Sequence, residues 1–515
     1  MRRASQPRRH GWERRSPPPG AGLRAAVRAA ATALPLLALA QCAAPLRHPL
    51  PAATSSAAEA FAPAPRLQAL IDPRPEPGGR SWLGGDVALS VRLTDDHYVW
   101  LFGDTLLGSV STACPPGRSY CDRRVAAEGG LIANSAGSMT RRLDGRFFPL
   151  AKSWRTSGDE PAPIFEAAAP GEFLWPLAAA PVGTRLLVAA TRQRREVGLA
   201  SLGGVFLLVE NPEEAPRRWR YRRHPIPNEV PSAGLPPGGS ALGWTTALVP
   251  RGGEIYVFGA RGPPGESETV VARLRVEDVL RPGWVPRPEY LVDGADGRPA
   301  WSTRFEPERL HAVEGLPGTS EATIRRDALS GRWVSYRIPA LSFEVHRFTA
   351  VRLVGPWRDE GVVYRVPPPW SASRSPRFAA YAVREHPELA APGASVLSYN
   401  VNVAFGTLCQ AIDAIEAIDD FYVPRLLAGS AASRQRAAPG TRAGRGDGLG
   451  GLGSLRSCAA GEGPNQWHGP GIAAMEARGG SGRSLPPPLL QAPPATAEES
   501  GDRPGGDAAV RPGTR

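Results

Sequence analysis

The sequence predicts an all-β fold: a five-bladed β-propeller flanked by disordered N- and C-terminal extensions. Three observations lead there. Between residues 72 and 427, short runs rich in Val, Leu, Tyr, Trp and Phe alternate with turns, and no helical period persists. Within that span a two-stranded unit recurs five times, at intervals of roughly 60–90 residues. Outside it, the chain is rich in Ala, Pro, Gly, Arg and Ser and lacks any strand pattern.

The N-terminal segment, 1–42, reads as a signal peptide or lipoprotein signal. Arg2, Arg3, Arg8, Arg9, Arg14, Arg15, Arg24 and Arg28 precede the apolar run Ala29–Ala40, which is too short and alanine-rich to span a bilayer. Leu39-Ala40-Gln41-Cys42 resembles a bacterial lipobox, so Cys42 is the candidate lipidation site and any membrane contact is expected through that anchor alone. The chain is therefore expected to be exported: secreted, periplasmic or lipid-anchored at the cell envelope. Residues 43–71 read as an Ala/Pro-rich linker.

The five units follow, within a propeller expected over 72–427. The first runs Gly85–Leu93, a turn at Thr94–His97, then Tyr98–Gly103; the second is Phe173–Ala180 with Arg185–Thr191. The third is Trp244–Pro250 with Glu254–Ala260, across Gly252-Gly253. The fourth is Ser320–Arg326 with Arg332–Ile338, and the fifth Phe378–Arg384 with Ala394–Val401. Each has room for a four-stranded antiparallel sheet. Such a sheet cannot bury its apolar face alone, and radial packing of several closes a propeller whose innermost strands line a channel. Tyr422–Leu427 is expected to supply a last strand. A two-domain β-sandwich is the alternative architecture. Residues 428–515 read as a disordered tail, and Gly446-x-Gly448-x-x-Gly451 within it lacks the strand and helix that a dinucleotide fingerprint needs.

Charge excludes one function class. The chain carries 61 basic and 49 acidic residues, a net +12, and all but Lys152 of the basic residues are Arg. The excess sits at the ends: nine Arg against one acid in 1–50, and ten Arg against seven acids in 428–515. A nucleic-acid binder carries its basicity on the folded domain, so no nucleic-acid partner is expected. Of five cysteines, Cys114 and Cys121 bracket a Pro-Gly turn, which suits a local disulfide in an oxidising compartment. The eight His are scattered and no C-x-x-C occurs, so neither a metal nor a cofactor is expected. No G-x-S-x-G elbow, P-loop or H-E-x-x-H is present either.

The candidate chemistry lies in three acids. Asp86 stands at the head of the first unit in Gly84-Gly85-Asp86, and Asp104 ends its second strand in Trp100-Leu101-Phe102-Gly103-Asp104-Thr105. Pairing the two strands returns the chain to its starting end, so both carboxylates reach one rim. Glu321 heads the fourth unit in Thr319-Ser320-Glu321-Ala322-Thr323. Three carboxylates converging on one axis suit glycoside cleavage, in which one acts as nucleophile or base, one protonates the leaving oxygen and a third tunes proton affinity. Strand capping or Asx turns beside Gly are the alternative duties for Asp86 and Asp104.

These motifs resemble the opening of the five-bladed-propeller glycoside hydrolases, in particular a bacterial domain-of-unknown-function group that includes endo-D-arabinanases. More distantly they are similar to the arabinanase, xylosidase and invertase clans. Ile132-Ala133-Asn134-Ser135, Thr319–Thr323 and Ser398-Tyr399-Asn400-Val401-Asn402 fit the same pattern, and the resemblance covers roughly residues 75–427. It implies hydrolysis of furanosides or other glycans, with Asp86 and Asp104 catalytic and Glu321 a third acidic site residue. Trp175 and Trp244, at equivalent places in units two and three, are candidate sugar platforms or packing residues. Asn134, Asn400 and Asn402 are candidates for hydroxyl contacts or turn duty, and His386 for the axis or a loop. The sequence thus points to a monomeric, exported enzyme acting on a polysaccharide or cell-envelope glycan. A non-catalytic surface propeller that binds glycan or protein is the alternative.

Overall fold

The computed structural model describes residues 61–430 apart from 76–79, 112–122, 195–199, 237–238, 264–265, 340–341, 368–377, 404–405 and 408–420, together with 466–467. The chain divides into two units, 1–54 and 55–515, and every described residue belongs to the second. Cys42, Cys114, Cys121 and the 1–42 signal lie outside the described residues, as does nearly all of the 428–515 tail. Among the described residues, no helix is long and apolar enough to cross a membrane.

The fold is all-β. Among the described residues, five antiparallel sheets of four or five strands follow one another along the chain, and each contains one of the predicted units. Sheet I pairs Leu89–Arg92 with His97–Phe102, then Ser135–Thr140 and Ala151–Ser153. Sheet II is Glu172–Val182, Arg185–Arg194, Gly204–Val209 and Tyr221–Pro225. Sheet III opens with Ala241–Arg251 and Glu254–Gly262, and sheet IV with Ile324–Arg326 and Trp333–Arg337. Sheet V pairs Phe378–Glu385 with Ala394–Val403, then Arg425–Ser430. A separate three-stranded sheet of Ser81–Gly85, Thr105–Ser111 and Arg123–Ile132 branches from sheet I.

The long apolar runs follow from burial on both faces, because successive side chains in a strand point to opposite sides. Val99 and Leu101 pack toward sheet II, while Tyr98, Trp100 and Phe102 pack toward sheet V. Leu186, Val188 and Ala190 face sheet I, whereas Leu187 and Ala189 face sheet III. Five apolar clusters result: between I and II, II and III, III and IV, IV and V, and V and I.

Beyond a fourth-unit strand that starts at Ile324 instead of Ser320, leaving Glu321 in its approach, and a last strand at Arg425–Ser430 instead of Tyr422–Leu427, two expected boundaries shift. Residues 61–71, grouped by composition with the linker, are folded: Phe61–Pro63 is a strand and Pro65–Ile71 a helix. Phe61–Pro63 is the edge strand of sheet V, with Phe61 opposite Gly429 and Pro63 opposite Leu427. The Ala/Pro composition hides a single large apolar anchor, Phe61, which is buried edge-on against Tyr336 with ring centroids 5.7 Å apart. The other shift is local. The strand expected over Gly85–Leu93 breaks at Asp86, because Val87 and Ala88 adopt φ of 65° and 46°. The chain thereby leaves the Ser81–Gly85 strand and enters sheet I.

Substituting Phe61→Ala removes a buried ring from the contact that ties Phe61–Pro63 to sheet IV. We expect a loss of about 3 kcal/mol of unfolding free energy in urea. Leu143→Ala, at a fully exposed side chain, is expected to leave stability within about 0.5 kcal/mol.

Candidate active site

Asp86 occupies the break between Ser81–Gly85 and sheet I, and Asp104 the tight return between His97–Phe102 and Thr105–Ser111. Their backbones pair: Gly103 N–H donates to the Asp86 carbonyl at 3.1 Å, and Asp86 N–H to the Asp104 carbonyl at 3.4 Å. Gly103 is required there. A Cβ would lie 2.4 Å from Asp86 Oδ1, so the carboxylate packs where any side chain would clash. Gly84 is fixed likewise by the Tyr422 carbonyl, 2.5 Å from a hypothetical Cβ. Gly84 and Gly103 of these motifs therefore answer to close approach, not to turn flexibility.

Around this pair the sheets contribute polar groups at one level. From sheet V, the Tyr381 hydroxyl donates to Asp86 Oδ2 at 3.1 Å, and Asn400 Nδ2 donates to the Gly85 carbonyl at 3.1 Å. Asn402 Nδ2 meets the Tyr381 hydroxyl at 3.4 Å. From sheet II, the Trp175 indole N–H donates to Asp104 Oδ1 at 2.9 Å. Tyr422 donates to the Asp104 carbonyl at 2.7 Å. Among the described residues, four of the five non-glycine residues with positive φ, Val87, Ala88, Ala382 and Tyr422, flank these contacts. Such strain persists only where surrounding packing over-determines the backbone, and it concentrates at sites of function.

Arg384 joins the parts. Its guanidinium is fully buried and donates to the carbonyls of Val87 in sheet I's approach (3.3 Å), Leu177 of sheet II (2.5 Å) and Ala322 before sheet IV (2.8 Å). It also faces Glu321, with Nη2 3.7 Å from Oε2. Sheet III is tied in through Thr246: its hydroxyl donates to the Thr319 carbonyl at 2.5 Å and its carbonyl accepts from Ala322 N–H at 3.2 Å.

Asp86, Asp104 and Glu321 retain only 0%, 3% and 5% exposure. Among the described residues, Asp86 Oδ1 and both Glu321 carboxylate oxygens lack a hydrogen-bond partner. Burial therefore pushes the Asp86 carboxyl well above the usual carboxylate range, and the negative charges of Asp104 and Glu321 push it further against the opposing Tyr hydroxyls. Burial also raises Glu321, with the Arg384 guanidinium opposing. The fields of Asp104 and Glu321 both reach Asp86, so the structure brings the three predicted acids together.

The other candidates divide. Trp175 belongs to the site, as a hydrogen-bond donor to Asp104 and not as an open platform: it is 2% exposed. Trp244 is also buried, donating to the Asn228 carbonyl at 3.1 Å and packing between sheets II and III, so it offers no face for stacking. Asn134 is structural. Its Nδ2 donates to the Phe165 and Leu174 carbonyls at 2.9 Å each, and its Oδ1 accepts from Phe165 N–H at 2.8 Å, leaving little capacity for a ligand. His386 is buried against Trp100, stacked at 4.6 Å, with Ser90 and Ser398 hydroxyls at its two ring nitrogens (2.6 and 2.8 Å). It thus lies in the connection between the inner strand Phe378–Glu385 and the turn Pro387–Leu389, the loop position expected for it, and is buried at the seam between sheets V and I. Sequence reasoning missed Tyr381, Arg384 and Tyr422. The signal was available for two of them, since Tyr381 and Arg384 interrupt the apolar inner strand Phe-Ala-Ala-Tyr-Ala-Val-Arg-Glu.

An all-β, propeller-like fold with a buried acid cluster at the meeting of its sheets defines the class of protein. The chain belongs to the family described as Domain of unknown function (DUF5005), whose profile matches residues 79–427. Among solved structures it is similar to a candidate hydrolase from Bacteroides ovatus, with 16% identity, a TM-score of 0.54 and coverage of 74% of this chain and 93% of that one. Weaker likenesses include an α-L-arabinofuranosidase from Podospora anserina in complex with cellotriose (10% identity, TM-score 0.36, 73% and 98% coverage). Another is a GH43_1 enzyme from Xanthomonas citri complexed with xylose (11% identity, TM-score 0.33, 71% and 92% coverage). No curated protein matches the chain.

The raised proton affinity of Asp86 has a measurable consequence. In the unfolded chain an Asp ionises near pH 4, whereas the folded site still holds the proton, so folding binds protons over the window above that value. This contribution to stability is fully present below about pH 4 and is lost as pH rises toward the folded value. Asp86→Asn cannot ionise. Its melting temperature relative to the parent is expected to climb between pH 4 and pH 7 and to hold steady at lower pH. A difference that does not change with pH would show an unperturbed Asp86.

Proposed function

We propose that the chain is an exported glycoside hydrolase, a five-bladed propeller that cleaves a polysaccharide or cell-envelope glycan, with arabinan-like furanosides favoured. The observation that carries this reading is the pairing of Asp86 and Asp104 across Gly103, with Glu321 close enough to act on the same charge. The five blades are read from the five interlocked apolar clusters, and the sugar class from the resemblance of the Gly-Asp and Gly-Asp-Thr motifs to endo-D-arabinanases.

Glycosidic cleavage needs a proton for the leaving oxygen and an electron pair for the anomeric carbon. Asp86 is the proton-bearing member, because burial and two neighbouring negative charges disfavour its ionised form. Asp104 supplies the electron pair, either directly or through a water whose proton it takes, and Trp175 holds its carboxylate in place. Glu321, facing Arg384, sets the charge opposite the pair and tunes how tightly Asp86 holds its proton. The near-complete burial of all three acids favours a second reading, a non-catalytic propeller that binds glycan or protein at the cell surface.

Product analysis on a glycan panel that includes arabinans separates the two. We expect hydrolysis by the parent and a loss of about 10²–10⁴-fold in Asp86→Asn and in Asp104→Asn, with both variants folded. Turnover by either folded variant near the parent rate would remove the assignment. A parent that binds a glycan without releasing product would establish the binding protein instead.

A further inference from the structure

Three guanidinium groups stand at junctions between sheets: Arg384 on sheet V, and Arg325 and Arg337 on sheet IV. Arg384 faces Glu321 at 3.7 Å, and Arg325 meets Glu385 at 2.7 Å. Arg337, at the end of the Trp333–Arg337 strand, is 3% exposed and has no carboxylate beside it among the described residues. Its neighbours are neutral. Nη1 donates to Thr269 Oγ1 at 3.1 Å and to the Pro317 carbonyl, and Nε to Ser335 Oγ at 3.4 Å. Among the described residues, Nη2 has no hydrogen-bond partner. Burying a cation without a counter-charge and with an unmade hydrogen bond is costly, which marks the site as built for something other than stability. Burial alone lowers its proton affinity, to a pKa of about 9, so the group is still charged at neutral pH.

Position links this cation to the acid cluster. Antiparallel pairing sets Ile324 opposite Ser335, which brings the Arg337 end of its strand level with the approach to Ile324, where Glu321 lies. The segment Pro317–Glu321 begins on the Arg337 guanidinium and ends at that acid. Fully extended, its four steps span at most about 14 Å, within reach of adjoining sugar rings. Pro317, whose carbonyl accepts from Arg337, is exposed, and Gly318 and Ser267 beside it are half-buried.

We propose that Arg337 is the anion-recognising element of a second subsite, which takes the carboxylate of an acidic sugar one or two residues along the chain from the scissile bond. Resting on the hydrolase reading, this deepens it: the glycan carries a uronate one or two residues from the furanoside whose bond is cleaved. A single unpartnered nitrogen suits one oxygen of a monoanionic carboxylate. A phosphate dianion would have to shed far more hydration for the same contact.

The test is a calorimetric titration of the full chain with sodium glucuronate, and with glucose as its uncharged counterpart. We expect binding of glucuronate and not of glucose, at least tenfold weaker in Arg337→Gln and partly restored in Arg337→Lys. Asp104→Asn is expected to bind glucuronate as the parent does while losing hydrolysis. Equal responses to glucuronate and glucose in the parent would overturn the proposal, even if neither Arg337 variant folds. So would an Arg337→Gln protein that binds glucuronate like the parent. Hydrolysis of neutral glycans with no glucuronate binding removes the subsite and spares the enzyme. Glucuronate binding without hydrolysis of any glycan removes the enzyme and spares the anion site.

Discussion

The Arg384 guanidinium is the interaction on which the assembly depends. One buried cation, anchored in the inner strand of sheet V, donates to the backbone carbonyls of Val87, Leu177 and Ala322. Each carbonyl belongs to a different sheet or its approach, so a single planar fork fixes four parts of the molecule relative to one another. Apolar packing between sheets is non-directional and tolerates sliding. The fork does not, and it sets the level at which the inner strands meet. The same guanidinium faces Glu321, so the group that registers the sheets also sets the charge environment of the acids.

That arrangement concentrates cost in one place. Asp86 and Glu321 are buried with unpartnered oxygens, Val87 and Ala88 hold left-handed backbone, and Tyr422 does the same across the seam. Each feature opposes folding, and the large apolar clusters on either side supply the stability that retains them. A sequence selected for stability alone would have no reason to gather these features around two paired aspartates.

Much of this was legible in the sequence. All five strand pairs were predicted, because each inner hairpin is buried on both faces and so reads as two dense apolar runs across a turn. Asp86, Asp104 and Glu321 stood out because carboxylates at the ends of inner apolar strands are costly to bury unless used, and Asp86 and Asp104 also stand beside glycine. Other features could not be read. Trp175 and Trp244 look alike in sequence, yet one donates to Asp104 and the other to the Asn228 carbonyl, a difference set by which neighbour each strand meets. Asn134 carries a motif position but spends its amide on the backbone. The Phe61–Pro63 strand was invisible because its pairing partner lies at the far end of the fold and its own composition is that of a linker.

That strand has a consequence for how the chain is made. Sheet V takes its edge from Phe61–Pro63 and its neighbouring strand from Arg425–Ser430, so its last seam needs both ends of the domain at once. Sheets I to IV can form in order as the chain emerges, since their hairpins are local. The final sheet cannot. At about 5–20 residues per second, the N-terminal strand is made many seconds before its partner exists. Throughout that interval Phe61 and the open faces of sheets I and IV remain uncovered, and completion is the slow, non-local step typical of such pairings. For a chain proposed to leave the cytoplasm this delay is useful, because a domain that cannot finish folding until its end is synthesised stays open long enough to be threaded outward.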